Sequence, residues 1–172
     1  MIGTWRLAAA IAASAVLAAG AEQALRPWVK PTPPLALKDL GGREVDLKAL
    51  RGHVVVVNFW ATWCEPCTAE MPSLQRLAAK LGGSADVLAV NYGESRPRID
   101  AFLEKAGISL HVLLDPDKQA ADAWGAKGLP MTFIVDRSGR VRFWTFGERD
   151  WSAGDSLAAV EKLVAEAGDA GR

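Results

Sequence analysis

Residues 53–59 read HVVVVNF, four valines in a row between a histidine and an asparagine. β-Branched side chains stiffen χ1 and favour extended backbone. A run that is apolar at successive positions suits a strand covered on both faces. Directly after it stands WATWCEPCTAEMPSLQRLAAKLGG. There Pro66 suits a first helical turn, and Gly82-Gly83 stop the helix that Pro66 to Leu81 predicts. A buried strand feeding straight into a helix restricts the chain to an alternating α/β arrangement.

The rest of the chain repeats that alternation. DVLAVNY (86–92), SLHVLLD (109–115) and MTFIVD (131–136) are strand-like, with helical patterns at PRIDAFLEKAG and KQAADAW between them. RVRFWTF (140–146) follows a turn at Arg137-Ser138-Gly139 and predicts a hairpin partner. SLAAVEKLVAEAG (156–168) closes the pattern, with Leu157, Val160, Leu163 and Val164 on one helical stripe. Upstream, LALKDLGGREVDL predicts two short strands around Gly41-Gly42. The expected fold is a mixed central sheet flanked by helices, with an N-terminal β-hairpin.

The 172 residues carry 20 basic and 20 acidic side chains, so no broad charge field draws nucleic acid. The chain has no phosphate-binding glycine loop and no internal repeat. Its first segment is set apart. MIGTWR ends in one positive charge, Leu7 to Ala21 has none, and small residues at 19–21 precede Glu22. Residues 1–21 therefore predict an export signal, or an uncleaved anchor if they are retained. Residues 22–34 hold four prolines and predict an extended linker. Residues 35–168 form the expected domain, and 169–172 a loose tail.

Cys64 and Cys67 are the only two cysteines. A disulfide between them closes too small a loop to staple distant segments. A structural zinc site needs four N or S donors, and His53 and His111 are the only histidines. The spacing C-x-x-C at the start of a helix instead suits redox chemistry. Unpaired backbone N–H groups and the helix dipole stabilise a thiolate at Cys64, and the thiolate is the attacking species. Cys64 is the expected exposed nucleophile. Cys67, one turn in and more buried, is the expected resolving thiol. Pro72 lies inside the helical pattern, and SLQRLAAKL beyond it predicts that the helix continues with a kink. Glu70 stands one turn beyond Cys67 on the same face, where it either accepts a proton from that thiol or complements the helix dipole. Glu65 is expected to be exposed and to tune the pair weakly. Local sequence alone favours the common trans bond at Pro130.

The stretches VVVVNFWATWCEPCTAEMPSL and GLPMTFIVDRSGRV resemble the thioredoxin fold, and within it the exported TlpA/ResA/CcmG-like thiol–disulfide oxidoreductases. The resemblance covers about residues 35 to 167. It implies that Pro130 is a cis-proline and that Glu70 is functional. It implies substrate contacts at Trp63, Glu65, Pro66 and Leu129, and identifies residues 92–126 as a central αβ insert. Asn58 stands where thioredoxins carry a buried aspartate. Met131 departs from the acid that the cytochrome-maturation branch carries near its cis-proline, which puts an apocytochrome substrate in doubt. Ala61 and Val57 stand where peroxiredoxins need threonine and proline, which argues against peroxidase chemistry. The implied partners are a disulfide-containing exported protein and a membrane thiol–disulfide electron donor, with no cofactor. Two other readings stay open: a Cu(I)-binding, copper-site assembly module using the same thiolates, and a non-catalytic binding domain.

Overall fold

The computed structural model describes residues 24–166. The segments read as an export signal and as a loose tail lie outside the described residues.

Eight strands form one mixed sheet in the order β1-β8-β7-β4-β5-β6-β2-β3. The strands are β1 (Arg26–Pro27), β2 (Ala36–Asp39), β3 (Glu44–Asp46), β4 (Val54–Trp60), β5 (Ala85–Tyr92), β6 (His111–Asp115), β7 (Met131–Val135) and β8 (Val141–Phe146). Between them run helices α1 (Glu65–Leu81), α2 (Arg96–Ala106) and α3 (Gln119–Trp124); α4 (Gly154–Ala165) follows β8. β4, β5 and β6 are parallel neighbours, and β7 lies antiparallel to β4. A parallel pair needs a crossover, and α1 and α2 supply the two.

Every residue of β4 is buried, as the valine run predicts. Alternation then sorts its side chains. Val55, Val57 and Phe59 enter a cluster with Trp124 and Phe133 on one face. Val54 and Val56 face Leu74 and Leu77 of α1 and Val160 and Leu163 of α4 on the other. Trp60 continues that second face toward both cysteines, Met71, and Ile99 of α2. Asn58 lies between Val56 and Trp60 in this alternation and is the one polar residue of β4. It therefore points into the layer that α1 covers. Trimming a side chain such as Leu74 to alanine would cost about 2–5 kcal/mol through lost burial and the cavity left behind.

α1 runs unbroken through Pro72, so the helix does not end there. α2 stops at Gly107, whose φ of 65° lies in the left-handed region that glycine adopts without strain. The hairpin around Gly41-Gly42 forms as expected and joins the main sheet through β6.

The proline-rich segment is extended, but it is not a free spacer. Arg26 and Pro27 pair with Trp144 and Phe143 of β8. Thr32 Oγ1 accepts the Val141 N–H at 2.8 Å, and Pro34 O accepts from Trp124 Nε1 at 3.0 Å. Trp28 packs edge-on against Phe133. The folded unit thus begins before residue 35, because this segment supplies partners that the sheet edge and Trp124 would otherwise lack. Among the described residues no helix is long and apolar enough to cross a membrane.

Candidate active site

Strand β4 delivers Cys64 to the start of α1. Cys64 is the N-cap, its Sγ accepts the Cys67 N–H at 3.3 Å, and Pro66 occupies the first turn as expected. The two sulfurs are joined in a disulfide. Cys67 is fully buried. Cys64 keeps only 6 % of its surface, which corrects the expectation of an openly exposed nucleophile. The cause is local: Cys64 turns its sulfur onto the helix end and packs with Trp60, Ala61 and Met71. What stands in solvent beside it is Trp63, 59 % exposed, together with Glu65 and Pro66.

The Leu129–Pro130 bond is cis, as the resemblance implies and local sequence does not. Leu129 packs against the cluster that holds both cysteines. Met131, the first residue of β7, pairs with Phe59 on one side and Phe146 on the other. Phe146 is 42 % exposed and its ring lies over Gly128, where an added Cβ would come within 2.6 Å of it. Trp63, Leu129 and Phe146 thus mark an apolar rim at the disulfide end of the sheet.

Glu70 is 1 % exposed and sits beneath this rim. Asn58 Nδ2 donates to its Oε1 at 2.7 Å. The Arg149 backbone N–H and Trp151 Nε1 both donate to Oε2 at 3.2 Å. Burial pushes the carboxyl up to about 7, and these three neutral donors only partly offset it. The Arg149 side chain is directed elsewhere: Nε reaches Ser156 at 2.8 Å and Nη2 reaches Asp155 at 2.6 Å. Glu70 is therefore poised to gain and lose a proton at neutral pH, one helical turn from Cys67. Asn58 also donates to Thr132 Oγ1 at 2.8 Å.

A second carboxylate serves the other side of the motif. Glu94, in the loop after β5, accepts the Thr62 N–H at 2.7 Å and the Thr62 hydroxyl at 2.6 Å. Asn91 Nδ2 donates to it at 2.9 Å, and Arg98 Nε lies 2.9 Å away. Burial raises its pKa, but the Thr62 and Asn91 hydrogen bonds and the Arg98 charge outweigh that and hold it below the usual range. Glu94 fixes the backbone two residues before Cys64. Sequence reasoning missed Glu94, Arg149 and Trp151. Only Glu94 had a faint signal, a lone acid in a loop at the end of a buried strand.

His53 and His111 stand apart from the cysteines, against Asp86 at 3.2 Å and Asp39 at 3.5 Å. No cluster of three or more His, Cys, Asp or Glu suited to a metal occurs among the described residues.

Residues 29–144 match the AhpC/TSA family. A thiol-disulfide oxidoreductase ResA of Geobacillus thermodenitrificans is 40 % identical over 113 residues, 64 % of each chain. A thiol:disulfide interchange protein DsbE of Allochromatium vinosum is 39 % identical over 124 residues, covering 70 % of this chain and 67 % of that one. The matches span a little under two thirds of the length of the first ResA relatives, 62 % of the Bacillus subtilis protein. Among solved structures, a DsbE-type thiol:disulfide interchange protein of Chlorobium tepidum superposes with a TM-score of 0.74 at 29 % identity, covering 83 % of this chain and all of that one. Sheet order, cis-proline turn, helix-capping cysteine pair and family match agree: the chain belongs to the AhpC/TSA family and has the thioredoxin-like fold.

Proposed function

We propose that the chain is a thiol–disulfide oxidoreductase that reduces disulfides in exported partner proteins through Cys64 and Cys67. The observation that carries this reading is a disulfide capping α1, with a carboxyl near neutral pKa buried one turn below it. ResA- and DsbE-named relatives at 39–40 % identity support the same chemistry.

The cycle needs no cofactor. With the pair reduced, the Cys64 thiolate attacks one sulfur of the partner's disulfide and the other partner sulfur leaves as a thiolate. Cys67 gives its proton to Glu70 and attacks Cys64, releasing the partner's first sulfur. Two electrons have passed to the partner, and Cys64–Cys67 is again a disulfide. Trp63, Glu65, Pro66 and Leu129 border the path of an incoming peptide. A membrane thiol–disulfide electron donor would re-reduce the pair by the reverse exchange. The N-terminal segment 1–21 supports an exported location, either released after cleavage or held at a membrane.

The Glu-Pro dipeptide and Glu70 both disfavour a thiolate, which favours a low potential and the reducing direction. Potentials in this fold run from about −270 to about −120 mV, and the protein is expected near the low end. A value near the high end would overturn the direction. The partner is found by a trap: the Cys67→Ala variant, expressed in the periplasm, should hold its substrate disulfide-linked to Cys64. An apocytochrome or a copper-site protein in the trap would name the substrate. An empty trap, with no disulfide reduction by the native protein, would overturn the reading. Tight Cu(I) binding with little reduction would favour the copper module instead.

A further inference from the structure

Three groups surround the Glu70 carboxyl, and all are hydrogen-bond donors: the Asn58 amide nitrogen, the Arg149 backbone N–H and the Trp151 indole. That arrangement suits a carboxylate. It leaves a carboxylic acid without an acceptor, because a proton on either oxygen would point at an N–H. An unpaired buried O–H is costly. Of the three donors, the backbone amide cannot exchange roles and an indole has no acceptor. The Asn58 side chain can, because its amide carries both kinds of group. Its Oδ1 is buried and has no hydrogen-bond partner, while its Nδ2 serves both Glu70 and Thr132.

We propose that Asn58 is a positioning residue whose amide turns over with the protonation of Glu70. When Glu70 is ionised, Nδ2 donates to it and to the Thr132 hydroxyl oxygen. When Glu70 takes a proton, a half-turn about the last side-chain bond brings Oδ1 to the same place. There it accepts from the Glu70 O–H and from the Thr132 hydroxyl, which can reverse its role because a hydroxyl both donates and accepts. The carboxyl stays where it is, held by Arg149 N–H and Trp151. In each state one end of the amide is left unpaired. An aspartate at 58 would place a second carboxyl 2.7 Å from Glu70, and two such groups cannot both ionise. Asparagine lets one acid work alone.

The inference rests on Glu70 being the proton acceptor of the cycle, and the test separates the two. Its surroundings are few: Cys67 on α1, Asn58 on β4, Thr132 on β7, and the 148–151 loop, where the Glu148 charge adds to the upward push. NMR of the oxidised native protein from pH 5 to 9 follows the Glu70 carboxyl carbon and the Asn58 side-chain amide together. The expected result is one shared midpoint, with the Asn58 amide protons moving upfield as they lose the carboxylate. A Glu70 that titrates beside an unchanging Asn58 signal would overturn the inference and leave the proton-acceptor reading standing. A Glu70 that does not titrate in that range would overturn both. As a second measurement, Asn58→Leu removes the partner of both forms of Glu70. The acid limb of the pH–rate profile should then stay within about half a pH unit of its native position. A rise of about one to two units in a folded Asn58→Leu protein would show an amide that only donates, and would overturn the inference.

Discussion

Glu70 and Glu94 are two carboxyls buried on either side of one short motif, and the structure pushes them in opposite directions. Each is held by several hydrogen bonds, and each lies within a few residues of a cysteine or of a residue bonded to its loop. The difference is the balance of burial against hydrogen bonding. Glu70 is the more deeply buried, and its neutral donors offset that only in part. For Glu94 the Thr62 and Asn91 hydrogen bonds, with a smaller share from the Arg98 charge at 2.9 Å, outweigh burial. Glu94 is thereby held as an anion that clamps Thr62, while Glu70 is the acid that changes state in the proposed cycle. The strut and the proposed proton carrier use the same side chain.

The sharpest way to break this contrast is Glu70→Gln. Loss of a positioned general base should lower disulfide reduction at pH 7 by roughly a hundred- to ten-thousand-fold. The rate should also lose its rise through neutral pH, which stopped-flow reduction across pH 5–9 would show. Glu94→Gln should keep that rise; if it flattened the profile too, the two roles would not be distinct.

Stability should split the pair next. The folded Glu70 pKa, about 7, lies above the ordinary 4.5. Stability attached to it is therefore full below 4.5 and is lost as pH rises through about 7. The expected difference between Glu70→Gln and the native protein is about 3 kcal/mol across that window, measured by urea unfolding. Glu94 has a lowered folded pKa and the opposite slope: its contribution is present above 4.5 and disappears on acidification. At pH 7, Glu94→Gln should cost about 2 kcal/mol, because the charged acceptor of the Thr62 and Asn91 hydrogen bonds is lost.

The smallest effect is expected from Arg98→Leu. The arginine is 60 % exposed, so its ion pair is screened and contributes about 1 kcal/mol or less. Its use is diagnostic: the Thr62 and Asn91 hydrogen bonds do most of the lowering, so the Glu94 pKa should rise only slightly without the cation. A Glu94 pKa that climbed toward that of Glu70 in this variant would show that the cation sets it.

The sequence made the proposed proton carrier legible and concealed the strut. β4, α1 and the C-x-x-C pair are local features, written in consecutive residues and read by periodicity and capping. Glu70 was visible because it sits on the same helix face as Cys67. Asn58 was noticed only as a replacement, and its bond to Glu70 follows from alternation once β4 and α1 are packed. Arg149 and Trp151 come from a loop about eighty residues away. No periodicity in that loop points back to α1. The cis state of Pro130 needed the family resemblance, because tertiary context and not the local dipeptide selects it. The proline-rich segment was read as an extended linker, and its extended backbone docks on the sheet, which no local pattern announces. Its docking depends on acceptors at Thr32 and Pro34 that meet donors ninety or more residues away.

That docked segment bears on how copies of this protein meet. An open sheet edge is a template for a neighbour's strand, and self-association through it would compete with substrate encounters. One edge of this sheet is β1, two residues long, with a proline that has no N–H to offer. The other is β3, three residues long and bearing Glu44 and Asp46. Both margins disfavour strand addition, so copies have little to zip along.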